Sequence, residues 1–236
     1  MMKLLRACAV LVLGIAQSAH AYVIDGAGFT NNVHSQSFNG NATFSAYRNG
    51  STDANFLKKS QVGYTGVGVA DGRTNGEIDT DETIAGTFSA SMHIDSMMLG
   101  LLFDGPEYGD VNEVAAVSIF DGSSWLMGTL TAVNATTALW SFGGNTTSIT
   151  ATSAAIDGLG GVWTIANPFA GAATNSILFS ALPGKCGVAG GACTNQSDYT
   201  LNRLNYTSVP EPSTIALLAA GLIVLGITRR NARKHS

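Results

Sequence analysis

Through the middle of the chain apolar and polar residues alternate with a period of two, the pattern of strands that turn one face to a core and the other to water. From Thr83 to Met92, the residues Ile84, Gly86, Phe88, Ala90 and Met92 interleave with Thr83, Ala85, Thr87, Ser89 and Ser91, so one face is apolar and the other small and hydroxylated. Ala42, Phe44 and Ala46 alternate in the same way with Thr43, Ser45 and Tyr47, as do Ala138, Trp140 and Phe142 with Thr137, Leu139 and Ser141. Ser96 to Phe103 is a continuous apolar run between Asp95 and Asp104-Gly105-Pro106, which predicts a central strand covered on both faces. The stretch Asn175 to Tyr206 predicts a strand, a loop and a last strand over Asp198 to Tyr206. In that last strand Leu201 and Leu204 are out of phase, which implies a bulge or twist.

Turn signals such as Asn49-Gly50, Asp71-Gly72, Asn75-Gly76, Asp121-Gly122 and Gly143-Gly144 separate these runs, and no helical run of convincing length lies between them. The expectation is an all-β fold, a two-sheet β-sandwich or jelly roll. A β-helix is the main alternative, and no fixed-period repeat supports it.

Two terminal segments break the pattern. Residues 1–21 have Lys3 and Arg6 before an apolar stretch from Ala7 to Ile15, then Ala19-His20-Ala21, the small-x-small pattern that signal peptidase reads. The expectation is an exported protein cleaved before Tyr22. At the other end Thr214 to Thr228, TIALLAAGLIVLGIT, is uncharged and is followed by Arg229, Arg230, Arg233 and Lys234, a membrane helix with a positive-inside stop. At ~1.5 Å per residue it spans roughly 22 Å, thin against ~30 Å of hydrocarbon. Before it stands Val209-Pro210-Glu211-Pro212-Ser213, whose prolines oppose a helix and hold the chain extended.

The order of VPEPST, short apolar helix and arginine cluster resembles the PEP-CTERM sorting signal, also called the ice-binding protein C-terminal domain. The resemblance implies a Gram-negative, exopolysaccharide-producing source and recognition of Pro210, Glu211 and Pro212 by an exosortase in the membrane. It covers 209–234 and predicts sorting, not ligand or catalysis. The run from Gly66 to Phe103, with the later SILFSAL and DYTLNRLNYT, is similar to β-rich bodies found ahead of such tails, mostly of unassigned function. That likeness supports a sandwich and places Glu77, Ile78, Asp79 and Glu82 in a recurring loop-to-strand element. The organisation expected is thus a signal peptide over 1–21, an exported β domain over 22–208 and a sorting signal over 209–236, with the transmembrane helix at 214–228.

Charge sharpens this picture. Only 12% of the 236 residues are charged, and 28 are glycine. Of the 12 basic residues two precede residues 22–208 and four follow them, while of the 16 acidic residues only Glu211 lies outside, leaving six against 15 and a net charge of −9. Such a body repels nucleic acid and anionic headgroups and attracts cations.

The acidic residues concentrate in DGRTNGEIDTDE, Asp71 to Glu82. It places Asp71, Asn75, Glu77, Asp79 and Glu82 at positions 1, 5, 7, 9 and 12 of a calcium loop of EF-hand type, with Asp81 beside them. Five carboxylates in one loop repel each other, and a divalent cation relieves that. Arg73 occupies position 3 and the flanks are strands, both of which argue against a true EF-hand. An Asp-rich calcium loop on a sheet edge and a solvated acidic loop held by Asx turns remain the two readings. Asp104, Glu107, Asp110 and Glu113 form a second acidic stretch, read as solvated.

Cys186 and Cys193, separated by a glycine-rich hexapeptide, can close a small disulfide loop in an oxidising compartment. Two thiols with only His34 and His93 in the body do not suggest zinc, and no Gly-x-Ser-x-Gly elbow disciplines a hydrolase triad. Three functional classes follow. The first is a non-catalytic surface or matrix protein that binds carbohydrate or exopolysaccharide, with Trp125, Trp140, Trp163 and Tyr64 as aromatics. The second is a secreted glycoside hydrolase or lyase using paired carboxylates such as Glu77 and Glu82. The third is ice binding, suggested by the tail's other name and by the threonine-rich run Thr146 to Thr152. The expected partners are signal peptidase, an exosortase and, before processing, the membrane; calcium is the one cofactor considered, and no catalytic residue is assigned.

Overall fold

Each period-two segment is a strand, and the core falls on the apolar face that the alternation defines. The computed structural model describes residues 19–61, 63–104, 112–153, 160–185, 197–210 and 221. The chain divides into two units, Met1–Ala19 with Pro210–Ser236 and His20–Val209, and the second holds every strand. In order these are β1 (Ala21–Asp25), β2 (Ser35–Phe38), β3 (Ala42–Arg48), β4 (Thr52–Ala54), β5 (Phe56–Gln61), β6 (Tyr64–Val69), β7 (Glu82–Phe103), β8 (Asn112–Phe120), β9 (Trp125–Asn134), β10 (Thr137–Phe142), β11 (Asn145–Thr150), β12 (Gly160–Ala166), β13 (Ala173–Lys185) and β14 (Thr200–Ser208). Ala42, Phe44 and Ala46 of β3 are buried, as are Ala138 and Trp140 of β10; in β7, Ile84, Gly86, Phe88 and Met92 are buried and Ala90 is exposed.

The all-β class holds, whereas the expected division into two sheets does not. The 14 strands form one hydrogen-bonded sheet with antiparallel pairing. The reason is β7, which at 22 residues is long enough to serve both halves. Its first part lies between β3 and β13, and its second between β14 and β12. Asp95, read as the boundary between two strands, sits exposed within this single one. Both halves share one core: Phe29 packs against Phe44 of β3 at 5.9 Å and Phe56 of β5 at 4.9 Å, and Phe88 of β7 meets Tyr206 of β14 at 5.0 Å. The run Ser96 to Phe103 is largely buried, as a strand covered on both faces requires.

In β14 the pairing with β7 shifts between Leu201 and Arg203 and again between Asn205 and Tyr206. These irregularities bring Leu201, Leu204 and Tyr206 all into the core, which resolves the phase conflict in the sequence. Trp140 and Trp163 are core residues whose indole N–H groups donate to the carbonyls of Pro168 at 2.8 Å and Leu102 at 2.9 Å. Trp125 is different, being half-exposed at 50%.

The register also orders the outer face. Ser37, Thr43, Thr87, Ser176, Phe120 and Trp125 are successive cross-strand partners on β2, β3, β7, β13, β8 and β9. Ser35, Ser45, Ala85, Leu178, Ser118 and Met127 form the next row. Directly opposed residues share a face, so these rows are continuous bands of mostly small hydroxylated side chains. The threonine-rich β11 is an exposed strand at the end of the order, paired with β10.

Candidate functional site

The segment between β6 and β7 is the acidic loop, and its backbone is closed by its own turns. Val69 donates to the Glu77 carbonyl at 2.8 Å and Gly76 to the Val69 carbonyl at 2.9 Å. Asp71 has φ of 61° and Gly76 of 86°, left-handed conformations that Asp and Gly tolerate. The Asn75 side chain accepts from the Asp71 N–H at 2.9 Å. Ile78 is fully buried and its N–H donates to the Tyr199 carbonyl at 2.7 Å, tying the loop to the residue just before β14.

Folding the loop down in this way divides its carboxylates. Asp71, Asn75 and Asp81 are exposed, while Glu77, Asp79 and Glu82 are 3%, 2% and 1% exposed. A solvated loop would keep all five acids in water, and here three are buried; a calcium loop would gather six side chains at one point, and here they are divided between surface and interior. Among the described residues no group of three or more His, Cys, Asp or Glu side chains is placed to hold a metal ion. The donors proposed for calcium do not gather in one shell: Asp71, Asn75 and Asp81 stay in solvent, while Glu77, Asp79 and Glu82 each engage protein groups and leave Glu77 Oε2 and Asp79 Oδ1 unpartnered among the described residues.

Glu82 accepts from the Arg48 guanidinium at 3.2 Å and from the Asp79 N–H at 3.1 Å. Arg48 also donates to the Ala70 carbonyl, so one side chain from β3 holds both ends of the loop. Asp79 accepts from the Thr74 N–H at 2.8 Å, and Thr74 Oγ1 donates to Asp198 at 2.7 Å. Glu77 meets Lys59 of β5 through Oε1 and faces the Asp198 carboxyl. Gly72 sits against this group, and a Cβ there would overlap the carboxylates of Glu82 and Asp79.

Burial governs the protonation of these acids. It pushes the Glu77 carboxyl up to about 9, with Asp198 adding to the rise and Lys59 only offsetting it. It pushes Glu82 up to about 7 against the opposing hydrogen bond from the Asp79 N–H and the pull of Arg48. Asp79 is raised too, by burial first, with the Thr74 N–H opposing. Burial together with the neighbouring Asp198 carboxyl therefore favours the neutral form of Glu77, while Lys59 favours the charged one. Chemically the loop is a buried, cation-braced joint between β3, β5, β7 and the residues before β14. Sequence reasoning missed Arg48, Lys59, Thr74 and Asp198 as its members. Arg48 and Lys59 lie 34 and 18 residues from their partners, and Thr74 and Asp198 are 124 apart, so no local motif joins them.

The other expected residues are placed as follows. Glu113 is buried and accepts from the Phe103 N–H, so it is not solvated as its acidic surroundings suggested; Glu107 and Asp110 lie outside the described residues. His34 is half-buried, with Nδ1 3.0 Å from the Ala54 carbonyl. Cys186 and Cys193 lie outside the described residues, as do Glu211, Pro212, Ser213, Arg229 and Arg230. So does the expected span 214–228 apart from Gly221, which is helical, and no helix among the described residues is long and apolar enough to cross a membrane.

The first and last residues of the second unit meet on the sheet. Ala19 and Ala21 are exposed, Ala21 opens β1 opposite Thr207 of β14, and Ser208 N–H donates to the His20 carbonyl at 2.9 Å. Tyr22, the first residue after the expected cleavage, stacks on Tyr206 at 5.3 Å. Val209 N–H donates to the Ser91 carbonyl at 2.9 Å, and Pro210 follows, exposed. From this point the family model of the PEP-CTERM protein-sorting motif matches, over residues 208–234. No curated protein and no solved structure matches the chain. The chain carries a sorting signal of the kind exosortases process, which supports an extracellular destination reached through a membrane-associated precursor.

Proposed function

We propose that this is a cell-surface or exopolysaccharide-matrix protein whose β body is a non-catalytic structural or carbohydrate-binding module. The observation that carries the reading is the direct join between the body and its address: the sorting motif begins at residue 208, the last residue of β14. With no linker between them, the address carries the sheet itself as its cargo. The acids a glycosidase would use favour the same reading, since Glu77 and Glu82 are buried and engaged with Lys59 and Arg48.

The N-terminal segment is removed by signal peptidase after Ala21, which leaves Tyr22 free to keep its stack on Tyr206. An exosortase then removes the C-terminal segment, and Cys186 and Cys193 form a disulfide after export. Intact-mass analysis of surface protein from exosortase-containing cells tests the processing: the mature form should begin at Tyr22 and lack Arg229 to Lys234. Glu211→Ala should leave the chain in the membrane fraction. A surface form that retains the C-terminal arginines in such cells overturns the proposal.

A further inference from the structure

The outer row from Ser37 to Trp125 borders two open hollows of about 330 and 190 Å³ that share Phe88 and Ser89. Adjoining at these residues, they make a groove that runs across β2, β3, β7, β13 and β8, and the larger hollow is on the scale of small-molecule sites, roughly 300–1,000 Å³. Its lining mixes hydroxyls and amides, Thr43, Thr87, Ser89 and Asn175 among them, with the apolar Phe88 and Phe120. The lining includes one charged residue, Asp121, whose carboxylate accepts from the N–H groups of Ser123 and Ser124, both at 2.8 Å, and is spent on its own turn.

Two further observations point to a ligand. Asn41 lines the larger hollow, accepts from the Tyr206 hydroxyl at 2.9 Å through Oδ1, and has a buried Nδ2 with no acceptor among the described residues. As placed the atom is inaccessible, so it meets a ligand oxygen only when the Asn41 side chain turns toward the hollow. At the opposite end Phe120 walls the smaller hollow and packs at 5.5 Å on Trp125, whose ring is half-exposed. An exposed indole beside a polar groove presents an apolar face next to hydrogen-bond partners, the pairing that matches the C–H face and the hydroxyls of a sugar ring.

We infer that this groove binds a neutral polysaccharide, its sugar rings resting on Trp125 and its hydroxyls bonded along the row from Asn41 and Thr43 to Asn175. The inference rests on the carbohydrate-binding half of the proposed function and assigns it a place and a ligand class. Charge selects the class. The body is at −9 and repels polyanions, and the groove offers an anionic glycan no cation to offset that.

The test is native gel retardation of the full-length chain in mild detergent, with a β-glucan, a dextran or a galactomannan in the gel as neutral probes and alginate as the anionic one. At least one neutral glycan should retard the protein and alginate should not. Trp125→Ala and Thr87→Arg should each weaken retardation by about tenfold, in line with the loss of one central aromatic contact. Both positions are exposed, and melting curves that match the parent separate lost binding from lost fold. Retardation undiminished in both variants overturns the groove and leaves the carbohydrate-binding module standing with its site elsewhere. No retardation by any of the three neutral glycans overturns the groove and that module together. Retardation by alginate alone overturns the ligand class.

Discussion

The loop from Asp71 to Glu82 and the row from Ser37 to Trp125 handle polarity in opposite ways. The loop has five carboxylates in twelve residues and hides three of them, whereas the row has no charge and leaves Ser37, Thr87 and Trp125 in water. Charge density in a sequence marks a place where the fold must spend hydrogen bonds and counter-ions, and need not mark a place where it meets a ligand. Buried acids bound to Arg48, Lys59 and Thr74 are a joint between strands. Uncharged hydroxyls in register across four strands, continued by Phe120 and Trp125 on two more, are a surface that still has bonds to make.

The sharpest way to break this contrast is to remove a counter-ion from the loop. Arg48 is mostly buried and pairs with Glu82, whose side chain is wholly inaccessible. Arg48→Ala leaves that acid without its cation and the Ala70 carbonyl without the Arg48 donor, and breaking one side of such a buried pair costs about 3 kcal/mol. Urea unfolding should show the loss as a lower midpoint with an unchanged slope. A change under 1 kcal/mol would mean the loop is as expendable as a surface turn.

Much of the sheet was legible because alternation is a local signal. Ile84, Phe44 and Trp140 fall in the core where the period-two pattern puts them, and the phase conflict of Leu201 and Leu204 marks a real register shift. The single-sheet architecture was not legible, since Asp95 reads as a break while the backbone passes through it, and hydrogen bonding continues on both sides. The loop misled for a related reason. Its acids are adjacent in sequence, but the cations that brace them arrive from β3 and β5, and a further acid, Asp198, from the approach to β14. The hydroxyl row is distributed in the same way: the small polar face of Thr83 to Met92 is visible alone, but its continuation through Ser37, Thr43 and Ser176 exists only in the register.

Titration sharpens the contrast at smaller cost to the fold. Glu77 and Glu82 have carboxyls raised to about 9 and about 7 from an ordinary 4.5. Between these limits the folded state binds more protons than the unfolded state, so stability falls as pH rises. It is greatest below about 4.5 for these two groups, and is lost through pH 7 for Glu82 and through pH 9 for Glu77. Melting temperatures should therefore drop by several degrees from pH 5 to pH 9. Glu77→Gln, which keeps a neutral side chain of the same shape at every pH, should flatten the upper part of that slope. A variant that keeps the full slope would show that Glu77 is charged in the native protein.

Calcium gives the smallest expected effect and tests the same division of roles. A cation that binds only the folded state raises its stability by RT ln(1 + [Ca]/Kd), about 2.7 kcal/mol at a hundredfold excess. To collect six oxygens here it would have to draw Asp71, Asn75 and Asp81 inward from solvent and displace Lys59 and Arg48 from Glu77 and Glu82. Those rearrangements oppose binding, so millimolar calcium at pH 7 should leave the melting temperature unchanged, in the parent chain and in Asp79→Ala alike. An upward shift in the parent that disappears in Asp79→Ala would show that the loop opens to gather its carboxylates around a metal. The loop would then join the hydroxyl row as a second surface with bonds still to make.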